Sequence, residues 1–288
     1  MAKTPRARDG RLRVTGWSGD TRYFRFAERD EFDPQTVKDV LDGAVAGVIF
    51  RGVIAPPVCR ELAERFWASP RRRRRSSEAP SYYIGAYHYG KPTQQYLSEA
   101  DETASAVDDV LAGPDDPVRH FTQALAQVLG EQGTTLRRAR HGPQQAGRVL
   151  LRSWHAHGEY ALEPHEDLSQ CTDPRQHDFE IQRVARHRVC AVNICLENGD
   201  GGRLVYWNIQ PDRETRTRLG VRHTGAPYPV DQLDGVERQW IEVGQGDLYV
   251  FNGSHIHAVE PSTEPGQRRT TAASLLGRVD RNTVVTWT

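Results

Sequence analysis

The 288-residue chain predicts a mainly β protein whose barrel-like C-terminal half rests on a helix-bearing N-terminal half. Three observations carry that reading. After about residue 147 the texture turns to short β-rich segments punctuated by Gly, Asn, Asp and Pro, at the spacing of an antiparallel barrel or jelly roll. Before it, two stretches repeat apolar residues at helical intervals. With hydrophobic residues at 37%, charged residues at 26% and four cysteines, the chain can bury a core without disulfides, and the composition excludes a disordered chain or a stapled mini-protein.

Taken in order, residues 1–30 read as a polar N-terminal segment and 31–146 as a mixed, helix-bearing support region forming one structural domain with a β-rich core over 147–288. AGVIFRGVI (46–54) reads as a buried strand, and PPVCRELAERFWAS (56–69) as a helix opened by proline. SPRRRRRSSEAPSY (69–82) reads as a solvated loop holding the one charge run, Arg71 to Arg75. A further helix fits 116–133, closed by Gly133. Strands are expected within 149–162, 187–197, 202–209, 240–244, 246–252, 255–261 and 270–279, with the polar stretch 210–238 a loop or short helix inserted between strands at the barrel mouth.

Basic and acidic residues number 38 each, which argues against the broad basic face of a nucleic-acid binder. Lysine stands only at Lys3, Lys38 and Lys91, so nearly all the basic residues are arginine, a bias of usage rather than a phosphate grip. No run of 18 apolar residues occurs and the basic N-terminus has no apolar stretch behind it, so the expectation is a cytoplasmic protein without a membrane partner. Cys59, Cys171, Cys190 and Cys195 lack metal or disulfide spacing and are expected to be reduced.

The chemistry gathers on histidine and arginine. In PHED, His165 and Asp167 stand two apart, so on an extended segment both can bite one metal ion. His257 can supply a third ligand if its strand neighbours theirs, with His255 the competing candidate. Two imidazoles and a carboxylate on one face of an octahedral ion suit non-haem Fe(II) working with O2. Arg268 and Arg269 open a strand eleven and twelve residues beyond His257, where one guanidinium could clamp a carboxylate of 2-oxoglutarate. Asn193 and Tyr206, on core strands, could touch that co-substrate or a substrate. His155 and His157 are expected to be barrel or pocket residues.

From about residue 43 onward the chain resembles the Fe(II)/2-oxoglutarate-dependent oxygenase superfamily, most nearly the stand-alone natural-product enzymes that include the carrier-independent halogenases of indole alkaloids. The matching stretches are DGAVAGVIFRGVI, HED, NGDGGRLVYWN, GDLYVFNGSHIHAVEP and QRRTTAASLLGRVDRNTVVTWT. The resemblance implies a double-stranded β-helix (jelly roll) core with an α-helical N-terminal support region. It implies Fe(II) on His165, Asp167 and His257, and 2-oxoglutarate anchored by Arg268 in preference to Arg269. It places Tyr87, His88 and Tyr89 in a substrate-facing segment. Such halogenases carry a small residue where Asp167 stands, so hydroxylation, desaturation or ring formation is expected rather than halogenation. A small molecule of natural-product biosynthesis is the expected substrate. The alternatives are a macromolecule-modifying, nucleic-acid-repair-like dioxygenase, in which Arg71 to Arg75 would make the contact, and a non-catalytic module holding a structural metal.

Overall fold

A computed structural model describes residues 13–75, 81–154, 160–263 and 266–288. His155 and His157 lie outside them. Strand β1 (Phe26–Arg29) leads to helix α1 (Pro34–Asp42), which Asp33 caps by accepting the Gln35 N–H at 2.9 Å. Gly43 ends that helix at φ 80°, a left-handed conformation that glycine adopts without strain. Strand β2 (Gly47–Phe50), helix α2 (Pro56–Ala68), strand β3 (Ser81–Ile84) and helices α3 (Thr93–Val110) and α4 (Pro117–Gly130) follow. The helices α2 and α4 match the sequence periodicity. The predicted strand over 46–54 stops at Phe50, because a turn at Arg51–Gly52 breaks it.

Strands β4 (Thr135–Arg138), β5 (Leu150–Trp154), β6 (Leu162–His165), β7 (Val189–Glu197), β8 (Leu204–Trp207), β9 (Arg238–Ile241), β10 (Leu248–Asn252), β11 (His257–Val259), β12 (Arg269–Asp280) and β13 (Thr283–Trp287) complete the fold. The large sheet runs β1-β2-β10-β7-β12-β5-β3, with β13 and β4 continuing beyond the far half of β12. The small sheet runs β6-β11-β8-β9. The two sheets form the double-stranded β-helix, and four strands of the large one, β1 to β4, come from before residue 147.

Helices α1, α2 and α4 cover the outer face of the large sheet, packing Val37, Phe66, Phe121 and Leu125 against Val48, Val192 and Val250. Each such side chain contributes about 2 kcal/mol on full burial. Residues 210–238 form the expected insertion between strands, and they pack Val221, Tyr228 and Leu233 on the outer face of the small sheet against Val205, Trp207 and Ala258. That segment contains a short helix, α5 (Arg213–Arg218), and only its Ala226 reaches the cavity between the sheets. No helix among the described residues is long and apolar enough to cross a membrane.

Candidate metal and co-substrate site

The cavity between the sheets has a volume of about 260 Å³, and His165, Asp167 and His257 stand on its wall. Strands β6 and β11 are antiparallel neighbours with His165 directly opposite His257, so register alone brings the two rings to a centroid distance of 4.1 Å. Asp167 follows the end of β6, where its N–H donates to the Gly253 carbonyl at 2.7 Å and ties the turn to the large sheet. Gly253 has no room for a side chain: a Cβ there would stand 2.3 Å from Asp167 Oδ2.

Hydrogen bonding sets the tautomers. His165 Nδ1 donates to the Glu163 carbonyl at 2.7 Å and His257 Nδ1 to the His255 carbonyl at 2.9 Å, leaving both Nε2 atoms as lone-pair donors to a metal. His165 Nε2 lies 3.8 Å from Asp167 Oδ1, and His257 Nε2 lies 3.6 Å from Oδ2. Burial pulls His165 down to about 3 and His257 to about 4, so both rings are neutral, as ligands must be. Burial also raises the Asp167 carboxyl, and its Oδ2 is buried with no hydrogen-bond partner. An orphaned carboxylate oxygen facing two imidazole lone pairs costs free energy that a divalent cation removes. Among the described residues this is the one group of three or more His, Cys, Asp or Glu side chains whose ligand atoms converge, all within 4.8 Å. The donor set fits Fe(II).

The middle residue of the motif is structural. Glu166 is fully buried, with its carboxylate 3.2 Å from Arg216 Nε of α5. It accepts from both the Ser169 N–H and hydroxyl and from the Tyr228 hydroxyl. The Glu166 N–H donates to the Gly225 carbonyl at 2.9 Å, where the approach is so close that a Cβ on Gly225 would lie 2.1 Å from the Glu166 carbonyl oxygen. The inserted segment is thereby fixed to the metal turn.

His255 shares no face with His257, because β11 begins only at the latter. Its Nδ1 donates to the Trp207 carbonyl at 3.1 Å, and its Nε2 meets the Tyr23 hydroxyl at 3.2 Å and Gln210 at 3.0 Å. Of the two arginines, the less favoured one faces the cavity. Arg268 precedes β12, is exposed, and lays its guanidinium 4.3 Å over the Trp67 ring. Arg269 begins the strand, is 2% exposed, lines the cavity, and donates from Nη2 to the Tyr249 hydroxyl at 2.8 Å. The reason is pleat: Arg269, Ala273 and Leu275 share the inward phase, and a one-residue shift flips the face.

Tyr206 also departs from expectation. It is fully buried in the packed interior, spends its hydroxyl on the Asn252 carbonyl at 2.8 Å, and does not line the cavity. Asn193 does line it, as do Tyr87, His88 and Tyr89. His88 is held by Gln176, whose amide donates to the His88 and Lys91 carbonyls at 2.8 Å each, so its Oε1 must accept from His88 Nδ1.

Several cavity residues went unnoticed in the sequence, among them Tyr249, Arg152, Arg75 and Glu163. Tyr249 has no signal beyond its strand. Arg152, inward on β5, donates to Asn193 at 3.2 Å and has no carboxylate partner among the described residues; burial lowers it to about 10, leaving it charged. A lone arginine inside the apolar run VLLRSW was a readable sign. Arg75, the last of the charge run, reaches the cavity, whereas Arg72 lies over Trp67 and Tyr82.

A two-histidine, one-carboxylate metal site inside a double-stranded β-helix defines a non-haem Fe(II)/2-oxoglutarate-dependent oxygenase acting on a small molecule. The sequence profile of the carrier-protein-independent halogenase WelO5 family matches residues 27–288, and the chain belongs to that family. An L-isoleucine 3(1)-dioxygenase from Pantoea ananatis (strain AJ13355) is 31% identical over 248 residues, covering 83% of this chain and 82% of the relative. The crystal structure of an N-substituted L-amino acid dioxygenase from Burkholderia ambifaria AMMD superposes with a TM-score of 0.60 at 12% identity, over 88% of this chain and 91% of that one. Its complex with alpha-KG superposes with a TM-score of 0.56 at 14% identity, over 88% and 90%. These two structures share the fold.

Proposed function

We propose that the enzyme hydroxylates a small aliphatic amino acid or a compound derived from one, in the cytoplasm. His165, Asp167 and His257 hold Fe(II), and Arg269 with Tyr249 takes the distal carboxylate of 2-oxoglutarate. Arg152 and Asn193 face the remaining anionic charge of the co-substrate. The chemistry supplied by Fe(II) with O2 and 2-oxoglutarate is oxidation of a C–H bond, with succinate and carbon dioxide released. The protein's own part is to orient both acids, keep the two imidazoles neutral and exclude water from an apolar wall of Leu150, Leu204, Phe251 and Val259.

The amino-acid reading is supported by the relative named for L-isoleucine and by the small, apolar, arginine-bearing cavity. Within the charge run Arg72 and Arg75 lie on aromatic rings, while Arg71, Arg73 and Arg74 are exposed. Four buried free thiols suit a reducing compartment. A closed zinc module is disfavoured, because the site gathers three ligands and Cys171, the nearest cysteine in sequence, gives its thiol to the Asp167 carbonyl.

One observation carries the reaction type: Asp167, between the two imidazoles, fills the position that a halide needs. The wild-type enzyme should therefore give hydroxylated and no halogenated product even in high chloride or bromide. Asp167→Gly should lose most turnover, since Oδ2 has no hydrogen-bond donor beside it among the described residues that could hold an anion in its place. Product mass spectrometry in chloride and bromide checks both, and a halogenated product from the wild type would refute hydroxylation.

A further inference from the structure

We infer that the mouth of the cavity is a receptor for the charged end of a zwitterionic amino acid, with Arg75 taking the carboxylate and Glu163 the ammonium; this rests on the amino-acid reading above. Arg75 lies with its guanidinium carbon 4.5 Å from the Tyr87 ring centre and 5.5 Å from that of Trp154. Two aromatic faces hold the arm in place without consuming its N–H donors. Its guanidinium has no hydrogen bond or ion pair among the described residues, although it lines the cavity. The cation beside it behaves differently. Lys91, 3.6 Å over the same Tyr87 ring, is spent on an ion pair with Glu99. The other two cavity arginines are engaged deeper in, Arg269 with Tyr249 and Arg152 with Asn193.

Glu163 is the complementary charge. It lines the same cavity two residues before His165, is exposed, and its carboxylate has no partner among the described residues. Arg75 comes from the end of the arginine run and Glu163 from the small sheet. The same cavity also has apolar lining from Leu150, Leu162, Leu204, Phe251, Val259 and Leu275, of which Leu150, Leu204, Phe251 and Val259 are buried. Opposite free charges at a half-open rim and hydrocarbon in the same cavity match a molecule with a carboxylate and an ammonium at one end and an aliphatic chain at the other. Binding in that sense leaves the charges where solvent still reaches them, avoids the cost of burying them, and delivers the chain to the metal ligands.

Anaerobic equilibrium binding to the enzyme loaded with Fe(II) and 2-oxoglutarate tests this, with L-isoleucine, L-isoleucinamide and 3-methylpentanoic acid as probes. Arg75→Gln should weaken L-isoleucine and the acid about 10- to 100-fold, the range of a charge-assisted contact, and leave the amide unchanged. Glu163→Gln should weaken L-isoleucine and the amide but not the acid. Arg75→Lys should recover part of the lost affinity. The apparent constant for 2-oxoglutarate should stay put in every variant, which also reports that each is folded. Equal weakening of all three probes, or a moved 2-oxoglutarate constant with L-isoleucine unaffected, would overturn the assignment. A wild type that converts 2-oxoglutarate but binds and oxidises no aliphatic L-amino acid would overturn the amino-acid reading itself, and this inference with it.

Discussion

Replacing His165, Asp167 or His257 with alanine should abolish 2-oxoglutarate turnover and weaken Fe(II) binding by well over a hundredfold. Hydrogen-bond partners of a ligand alone are worth about 10- to 100-fold in metal affinity, and these variants remove the ligand itself. The effect should be alike at all three positions, because each contributes one of three converging atoms and no other His, Cys, Asp or Glu group converges there among the described residues. His255→Ala supplies the contrast. It removes a fully buried ring bonded to Tyr23, Gln210 and Trp207, so it should lower thermal stability while metal binding stays within a fewfold. Anaerobic Fe(II) titration with succinate quantification reads both. Retained binding in His257→Ala together with its loss in His255→Ala would reverse the ligand assignment.

Arg269→Ala should raise the apparent constant for 2-oxoglutarate roughly 10- to 100-fold, corresponding to about 1.5–3 kcal/mol for a charge-assisted contact. Both the co-substrate carboxylate and the Tyr249 hydroxyl would lose their partner, and the buried site could not refill with an equivalent cation. Arg268→Ala should change that constant less than about twofold, since its guanidinium lies outside on Trp67. Initial rates over a 2-oxoglutarate series measure both. The opposite ranking would place Arg268 inward in solution.

The contrast between these arginines shows where sequence reading reaches and where it stops. The triad was legible because an HxD pair on an extended segment fixes the relation of its own two side chains, and His257 needed only the adjacency that the β6-β11 register supplies. Which arginine faces the cavity was not, because two adjacent arginines differ by one step of pleat and only the neighbouring ladder sets the phase: Arg269 pairs with Trp154 and Ala273 with Leu150. Helices α2 and α4 announce themselves by opening prolines and apolar spacing, whereas α3, rich in Gln, Glu, Asp, Ser and Thr, does not. The place of the 210–238 segment depends on a buried contact between Glu166 and Arg216, fifty residues apart, which no local pattern encodes. Tyr206 misled because an aromatic on a core strand can face co-substrate or packing equally well, and Asn252 decided it.

The central claim is that this cavity couples 2-oxoglutarate cleavage to hydroxylation of an aliphatic amino acid. Turnover under oxygen-18 gas with Fe(II), 2-oxoglutarate and a panel of aliphatic L-amino acids tests it most directly, read by mass spectrometry of succinate and the amino acid. One labelled oxygen atom should enter succinate and the other the hydroxylated amino acid, in equal amounts. Labelled succinate with no labelled amino acid from any member of the panel, or a chlorinated amino acid in its place, would contradict the claim.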